Sequence, residues 1–135
     1  MSPKELVKQF YEYDLLKNKI AVEKYFHKDC QLHWNSSKGF QVLNYDNILT
    51  FFNNINETYH NLRSEISHLL QEGDFVTTRY TVFGSTMENQ DEEMPLAHYI
   101  SIWQIKDGKF FKGHQISQLA DEAAIKANSF SEIKV

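Results

Sequence analysis

A single cysteine, Cys30, stands among 135 residues. No intrachain disulfide can form, so the disulfide-stapled scaffolds of small secreted proteins are excluded and a cytoplasmic location is expected. No segment approaches the roughly eighteen consecutive apolar residues that a membrane-spanning helix needs. The opening "MSPKELVKQF" lacks the long apolar core of a signal peptide. Basic residues are also short: 14 Lys and Arg stand against 18 Asp and Glu, a net charge of −4 with no basic cluster. Nucleic-acid affinity rests mainly on Lys and Arg neutralising phosphates, so nucleic acid is not an expected partner. There is no Gly-rich phosphate loop. The six histidines are scattered, with neither the helical i, i+4 pairing nor the compact Cys/His grouping of a zinc site. Neither a cofactor nor a metal is expected.

Aromatic residues are plentiful: seven Tyr, ten Phe and two Trp make up 14% of the chain. With 41% hydrophobic residues, no internal repeat and no linker, residues 1–135 are expected to fold as one domain around one core. Ser2, Pro3 and Glu5 form a helix start signal: a hydroxyl cap, Pro at the first helical position and Glu three residues after the cap. Leu6, Phe10 and Tyr13 follow at helical spacing, widened by Val7 and Tyr11. After a break near Asn18, "LKNKIAVEKYF" suits a second short helix. "DCQLHWN" alternates Cys30, Leu32 and Trp34 against polar residues, which predicts a strand, and "NSSKG" reads as a polar loop. Ile48, Phe51, Phe52 and Ile55 predict a third helix, capped by Asn44 or Asp46.

From residue 61 the period falls to 2. "LRSEISHLLQ" and "FVTTRYTVFG" are strands joined near Glu72-Gly73-Asp74. A three-residue loop pairs Val76 with Leu70, Tyr80 with Ile66 and Val82 with Ser64, and puts His68 opposite Thr78. It keeps Arg79 on the outer face near Glu65, so no unpaired charge is buried. "PLAHYISIWQI" and "KFFKGHQISQ" flank the two-residue turn signal Asp107-Gly108. The tail from Leu119 suits one more helical turn. Three helices ahead of a four-stranded antiparallel meander make an α+β domain, with helices across one face of a curved sheet and a pocket where the curvature leaves space.

Three stretches resemble the nuclear transport factor 2-like superfamily, and within it the SnoaL-like group. They are "LVKQFYEYDLLKNKIAVEKYFHKDCQLHW", "LLQEGDFVTTRYTVFGS" and "ISIWQIKDGKFFKGHQ". The resemblance covers roughly residues 4–121 and rests on the order and spacing of these motifs. It implies a cone-shaped, cystatin-like α+β fold with a deep pocket, commonly dimeric through the sheet. Its members' activities include isomerases, dehydratases, polyketide cyclases and epoxide hydrolases. Many members carry Trp six residues after the glycine of the last turn, then acidic residues one and four positions later. Here those places hold His114, Gln115 and Gln118, and neither Gln takes up a proton near neutrality.

An unbroken hairpin at Asp107-Gly108 pairs Ser101 with His114 and Trp103 with Lys112. The face of Tyr99, Trp103, Phe110 and His114 carries the greater aromatic bulk and is expected to point inward. His114 then shares a pocket with Trp103, Tyr99, Tyr80, His68 and Trp34, where imidazole would carry protons and Tyr99 would donate to an oxyanion. Trp34, His68, Tyr80, Trp103 and Phe110 are the expected substrate contacts. Each has a plainer reading as packed core, and Cys30 reads as packing rather than as a nucleophile. The expected partner is a small apolar or carbonyl-bearing molecule, either converted by acid/base chemistry (an isomerase, dehydratase or cyclase) or simply bound. Ile100, Ile102 and Phe111, on the other face, are the expected surface of a homodimer.

Overall fold

The structure, a computed structural model, describes residues 1–12 and 21–120. Its elements run α1 (Pro3–Glu12), α2 (Ala21–Tyr25), β1 (Phe26–Ser36), β2 (Gly39–Asn44), α3 (Tyr45–Thr58), β3 (Tyr59–Glu72), β4 (Phe75–Thr86), β5 (Met94–Lys106) and β6 (Lys109–Leu119). Tyr13, the break near Asn18 and the expected turn in the tail beyond residue 120 lie outside the described residues.

Both predicted helix starts form. The Glu5 amide donates to Ser2 Oγ at 3.1 Å and the Ser2 amide to Glu5 Oε2 at 3.3 Å. Asn44, rather than Asp46, caps α3: the Asn47 amide donates to Asn44 Oδ1 at 2.9 Å, and the Asn44 amide donates back to Asn47 Oδ1 at 3.1 Å. Each is a reciprocal capping box. Leu6, Val7, Phe10 and Tyr11 are buried as the spacing required. Phe10 meets Phe110 edge-on at 4.9 Å and Tyr25 at 5.3 Å, the geometry aromatic quadrupoles favour.

The strands form one sheet in the order β2-β1-β6-β5-β4-β3. All neighbours are antiparallel except β1 and β6. The α+β class holds, and β3, β4, β5 and β6 form the expected four-stranded antiparallel meander, which β1 and β2 extend to six strands. Two strands precede α3, and β1 returns beside β6 at the far side of the meander. Residues 39–44 form an edge strand, β2, which folds back through a turn ending at Gly39, φ +112°. That backbone conformation suits glycine alone. No helix among the described residues is long and apolar enough to cross a membrane.

Two β-bulges decide which side chains reach the helix-covered inner face. In β6 the pairing runs Ile105 to Phe110, then Gln104 to Lys112, leaving Phe111 unmatched. In β3 it runs Ile66 to Tyr80, then His68 to Arg79, leaving Ser67 unmatched. Each extra residue reverses the in–out alternation of everything beyond it. The β3–β4 turn is the two residues Gly73-Asp74, not three, and the bulge at Ser67 restores the expected pairs Ile66–Tyr80 and Ser64–Val82. Val76 therefore opposes Gln71 instead of Leu70, and Leu70 points outward, 63% exposed. Arg79 stays on the outer face as expected. It lies opposite His68, and its Nη1 donates to Ser67 Oγ at 3.1 Å.

Candidate functional site

Between the inner face of the sheet and the helices α1 and α3 lies a cavity of about 640 Å³. That is the size of a small-molecule site, which typically spans about 300–1,000 Å³. Phe10, Tyr11, Phe26 and Trp103 close one end. The walls carry Leu32, Trp34, Leu43, Ile48, Phe51 and Phe52, and the open end is bordered by exposed Lys38, Gln41 and Arg63. Arg63 is held there by Glu65 and Glu93, with Nε donating to Glu93 Oε1 at 2.8 Å.

The polar groups of the cavity form a line across three strands and α1. Trp103 Nε1 donates to the Tyr11 hydroxyl at 3.0 Å, and Tyr11 donates to the Tyr80 hydroxyl at 3.0 Å. The Tyr80 hydroxyl lies 3.3 Å from Ser101 Oγ, which donates to Gln115 Oε1 at 3.0 Å. Beside this line, Trp34 Nε1 donates to Ser117 Oγ at 2.8 Å. Tyr99 stacks flat on Tyr80 with ring centroids 5.0 Å apart. Burial pushes the Tyr11 and Tyr99 hydroxyls up to about 12 and the Tyr80 hydroxyl well above its ordinary value. All three stay protonated at neutral pH and serve as hydrogen-bond donors. Among the described residues no carboxylate and no imidazole lines the cavity.

The expected site residues divide on this frame. Trp34, Tyr80, Tyr99 and Trp103 come together on the cavity wall. Phe110 faces inward but is fully buried beneath that wall, stacked on Trp103 at 4.6 Å. His114 and His68 are both exposed on the outer face. That overturns their expected place in the pocket, by two routes: the bulge at Phe111 turns His114 out, whereas the two-residue turn at Gly73-Asp74 moves His68 from Thr78 to Arg79 on the outer face, before the bulge at Ser67 restores the register. His114 opposes Ile102 and stacks on His33 at 4.6 Å. His68 Nδ1 lies 2.9 Å from Ser67 Oγ.

The same shift brings in Gly113, Gln115 and Ser117, which strict alternation puts outside. Gly113 sits against Trp103: a Cβ there would lie 2.4 Å from Cζ3 of the indole. The missed signal was Lys112. The unbroken register sets its ammonium inward opposite Trp103 with no carboxylate partner, a burial that costs too much to stand.

The profile of the SnoaL-like domain matches residues 7–112. The chain belongs to the SnoaL-like family, within the nuclear transport factor 2-like superfamily. No curated protein matches it in sequence. Solved structures share the SnoaL-like fold at low identity. IdmH, a candidate polyketide cyclase from Streptomyces antibioticus, superposes with TM-score 0.71 at 15% identity over 94% of this chain and 97% of its own. TerC, crystallised with polyporic acid, gives 0.62 at 17% identity over 93% and 97%. An M. tuberculosis LEH-like epoxide hydrolase gives 0.65 at 13% identity over 85% and 81%.

Proposed function

We propose that this SnoaL-like domain binds a small apolar, carbonyl-bearing molecule in its inner cavity and polarises the carbonyl with neutral hydrogen-bond donors. The carrying observation is the cavity itself, about 640 Å³, walled by aromatic side chains and crossed by one line of hydroxyl and amide groups. Tyr99 is the proposed oxyanion donor, with Trp34, Tyr80 and Trp103 as packing contacts. A cyclisation or isomerisation that needs orientation and a polarised carbonyl fits such a site. The likeness to a candidate polyketide cyclase and to a protein crystallised with polyporic acid supports a flat, oxygenated ligand. A cytoplasmic location belongs to the same proposal and rests on the sequence alone.

The chain's two tryptophans, Trp34 and Trp103, both line the cavity, so their fluorescence reports its occupancy. Titration with 9-fluorenone, a flat tricyclic ketone, is expected to quench them saturably at one ligand per chain. No quenching up to the solubility limit would overturn the proposal.

A second reading concerns the outer face. Ile100, Ile102 and Ile116 are 47%, 43% and 66% exposed, and they adjoin across β5 and β6. We propose that a second copy of the chain covers them. Phe111 contributes less than expected, because it is half-buried with the ammonium groups of Lys106 and Lys112 over its ring at 4.6 and 5.6 Å. Sedimentation is expected to show a dimer that Ile102→Lys converts to a folded monomer. A wild-type monomer at high micromolar concentration overturns this reading.

A further inference from the structure

We infer that Gln115 is the specificity-determining residue of the cavity: its amide NH₂, turned toward the ligand by a one-way chain of hydrogen bonds, selects a ligand that presents a carbonyl oxygen. The inference rests on the ligand-binding reading above and adds to it the atom that recognises the oxygen.

The direction of the chain is fixed from its two ends. An indole N–H only donates, so the Tyr11 hydroxyl accepts from Trp103 Nε1 and spends its own hydrogen on Tyr80. Ser101 spends its own hydrogen on Gln115, so in the 3.3 Å contact with Tyr80 it accepts and Tyr80 donates. Ser101 passes its hydrogen to Gln115 Oε1 at 3.0 Å. The chain ends there, because an amide oxygen only accepts. Tyr11, Tyr80 and Ser101 are buried, so water does not compete for these hydrogens. Both hydrogens of Gln115 Nε2 are left over, Nε2 bonds no described residue, and Gln115 lines the cavity.

The neighbouring groups match. Ser117 Oγ accepts from Trp34 Nε1 at 2.8 Å, which leaves its hydroxyl hydrogen to donate. Ser117 lies directly across from Tyr99, whose hydroxyl burial keeps protonated. Gln115 and Ser117 are two positions apart on one strand, about 7 Å, so the donors cluster on one patch of wall. A patch of donors favours an acceptor oxygen and leaves an unmatched polar group against a hydrocarbon. The chain also commits the Tyr80 hydrogen to Ser101, so Tyr80 serves as a link and not as a donor to ligand.

The test is a matched pair of probes, 9-fluorenone and fluorene, which share one tricyclic skeleton and differ in the carbonyl. Affinities are read by tryptophan quenching and checked by calorimetry. Wild type is expected to prefer fluorenone by about tenfold, the value of one to two buried hydrogen bonds. Gln115→Met keeps the side-chain length and removes the amide. It is expected to erase the preference while fluorene binds within about twofold of wild type. Ser101→Ala, which leaves Gln115 intact and releases its orientation, is expected to cut the preference without erasing it. Equal affinity of wild type for the two probes, or a preference that survives Gln115→Met, overturns the inference and leaves the cavity reading standing. Binding of neither probe overturns the cavity reading and this inference with it.

Discussion

The inner and outer faces of β5 and β6 lie one residue apart in sequence and do opposite things with their polar groups. Inside, Ser101, Gln115, Tyr80 and Tyr11 are buried, neutral and joined end to end by hydrogen bonds. Outside, His114 and His33 stack at 4.6 Å among exposed isoleucines, and His98, packed on Thr81 Oγ1 at 2.9 Å, is held below its ordinary range by burial and then by Arg79. The imidazoles are outside, and the hydroxyl and amide groups that keep fixed dipoles are inside. A cavity of fixed dipoles orients and polarises a ligand without itself changing charge. A face of stacked rings and exposed isoleucines is better suited to contact with another surface.

The comparison breaks most severely at Gly113, the inner-face residue between Lys112 and His114. A Cβ there would meet Trp103 Cζ3 at 2.4 Å and Leu32 Cδ1 at 2.9 Å. Trp103 cannot withdraw without releasing Tyr11 and the chain of hydrogen bonds behind it. Gly113→Val is expected to cost about 3 kcal/mol, the upper range for overpacking a core, and to lower the melting temperature by about 10 °C. Thermal unfolding followed by circular dichroism measures it. A change of a degree or two would mean that Gly113 faces outward and that the register is the unbroken one.

Much of this frame was legible in the residues. The cap at Ser2, the buried stripe of α1, the face of Cys30, Leu32 and Trp34, and the turn at Asp107-Gly108 are all local: each is decided by a few neighbouring side chains. The aromatic wall of Trp34, Tyr80, Tyr99 and Trp103 was legible for the same reason, since all four lie on stretches where alternation is unbroken. His114 was not, because a bulge has no strong signature of its own. It is settled by what the whole strand must bury, and here the deciding facts are the exclusion of Lys112 from the core and the fit of a bare Gly113 against an indole. β2 escaped notice for a different reason: its alternating apolar residues Phe40 and Val42 span only three positions beside a polar loop, and both are exposed.

A smaller effect is expected from removing Phe111 altogether. Deleting a residue from the interior of a regular strand reverses its alternation downstream and would destroy this core. Phe111 is the unmatched residue, so its loss lets Lys112 follow Phe110 in regular pairing and keeps Gly113, Gln115 and Ser117 inside. The lost contacts are those with His27 and the two lysines, worth about 1–2 kcal/mol at a half-buried aromatic. A melting curve that stays cooperative, with fluorenone binding retained, is the expected result. Deletion of Gly113 serves as the contrast, and there the fold is expected to be lost.

The smallest effect should come from His114, the residue whose place most changes the functional reading. If its imidazole reached the cavity, His114→Ala would open space beside Trp103 and remove a polar contact, and ligand binding would change by an order of magnitude. On the outer face it touches His33 and opposes Ile102, and the cavity begins on the other side of the strand. The substitution is then a surface change, within about 0.5 kcal/mol in stability, and fluorenone affinity should hold within about twofold. A loss of affinity with the melting temperature unchanged would return His114 to the pocket and, with it, an acid/base mechanism. Unchanged affinity together with an altered monomer–dimer equilibrium would instead tie the rings of His114 and His33, stacked at 4.6 Å, to the contact between copies.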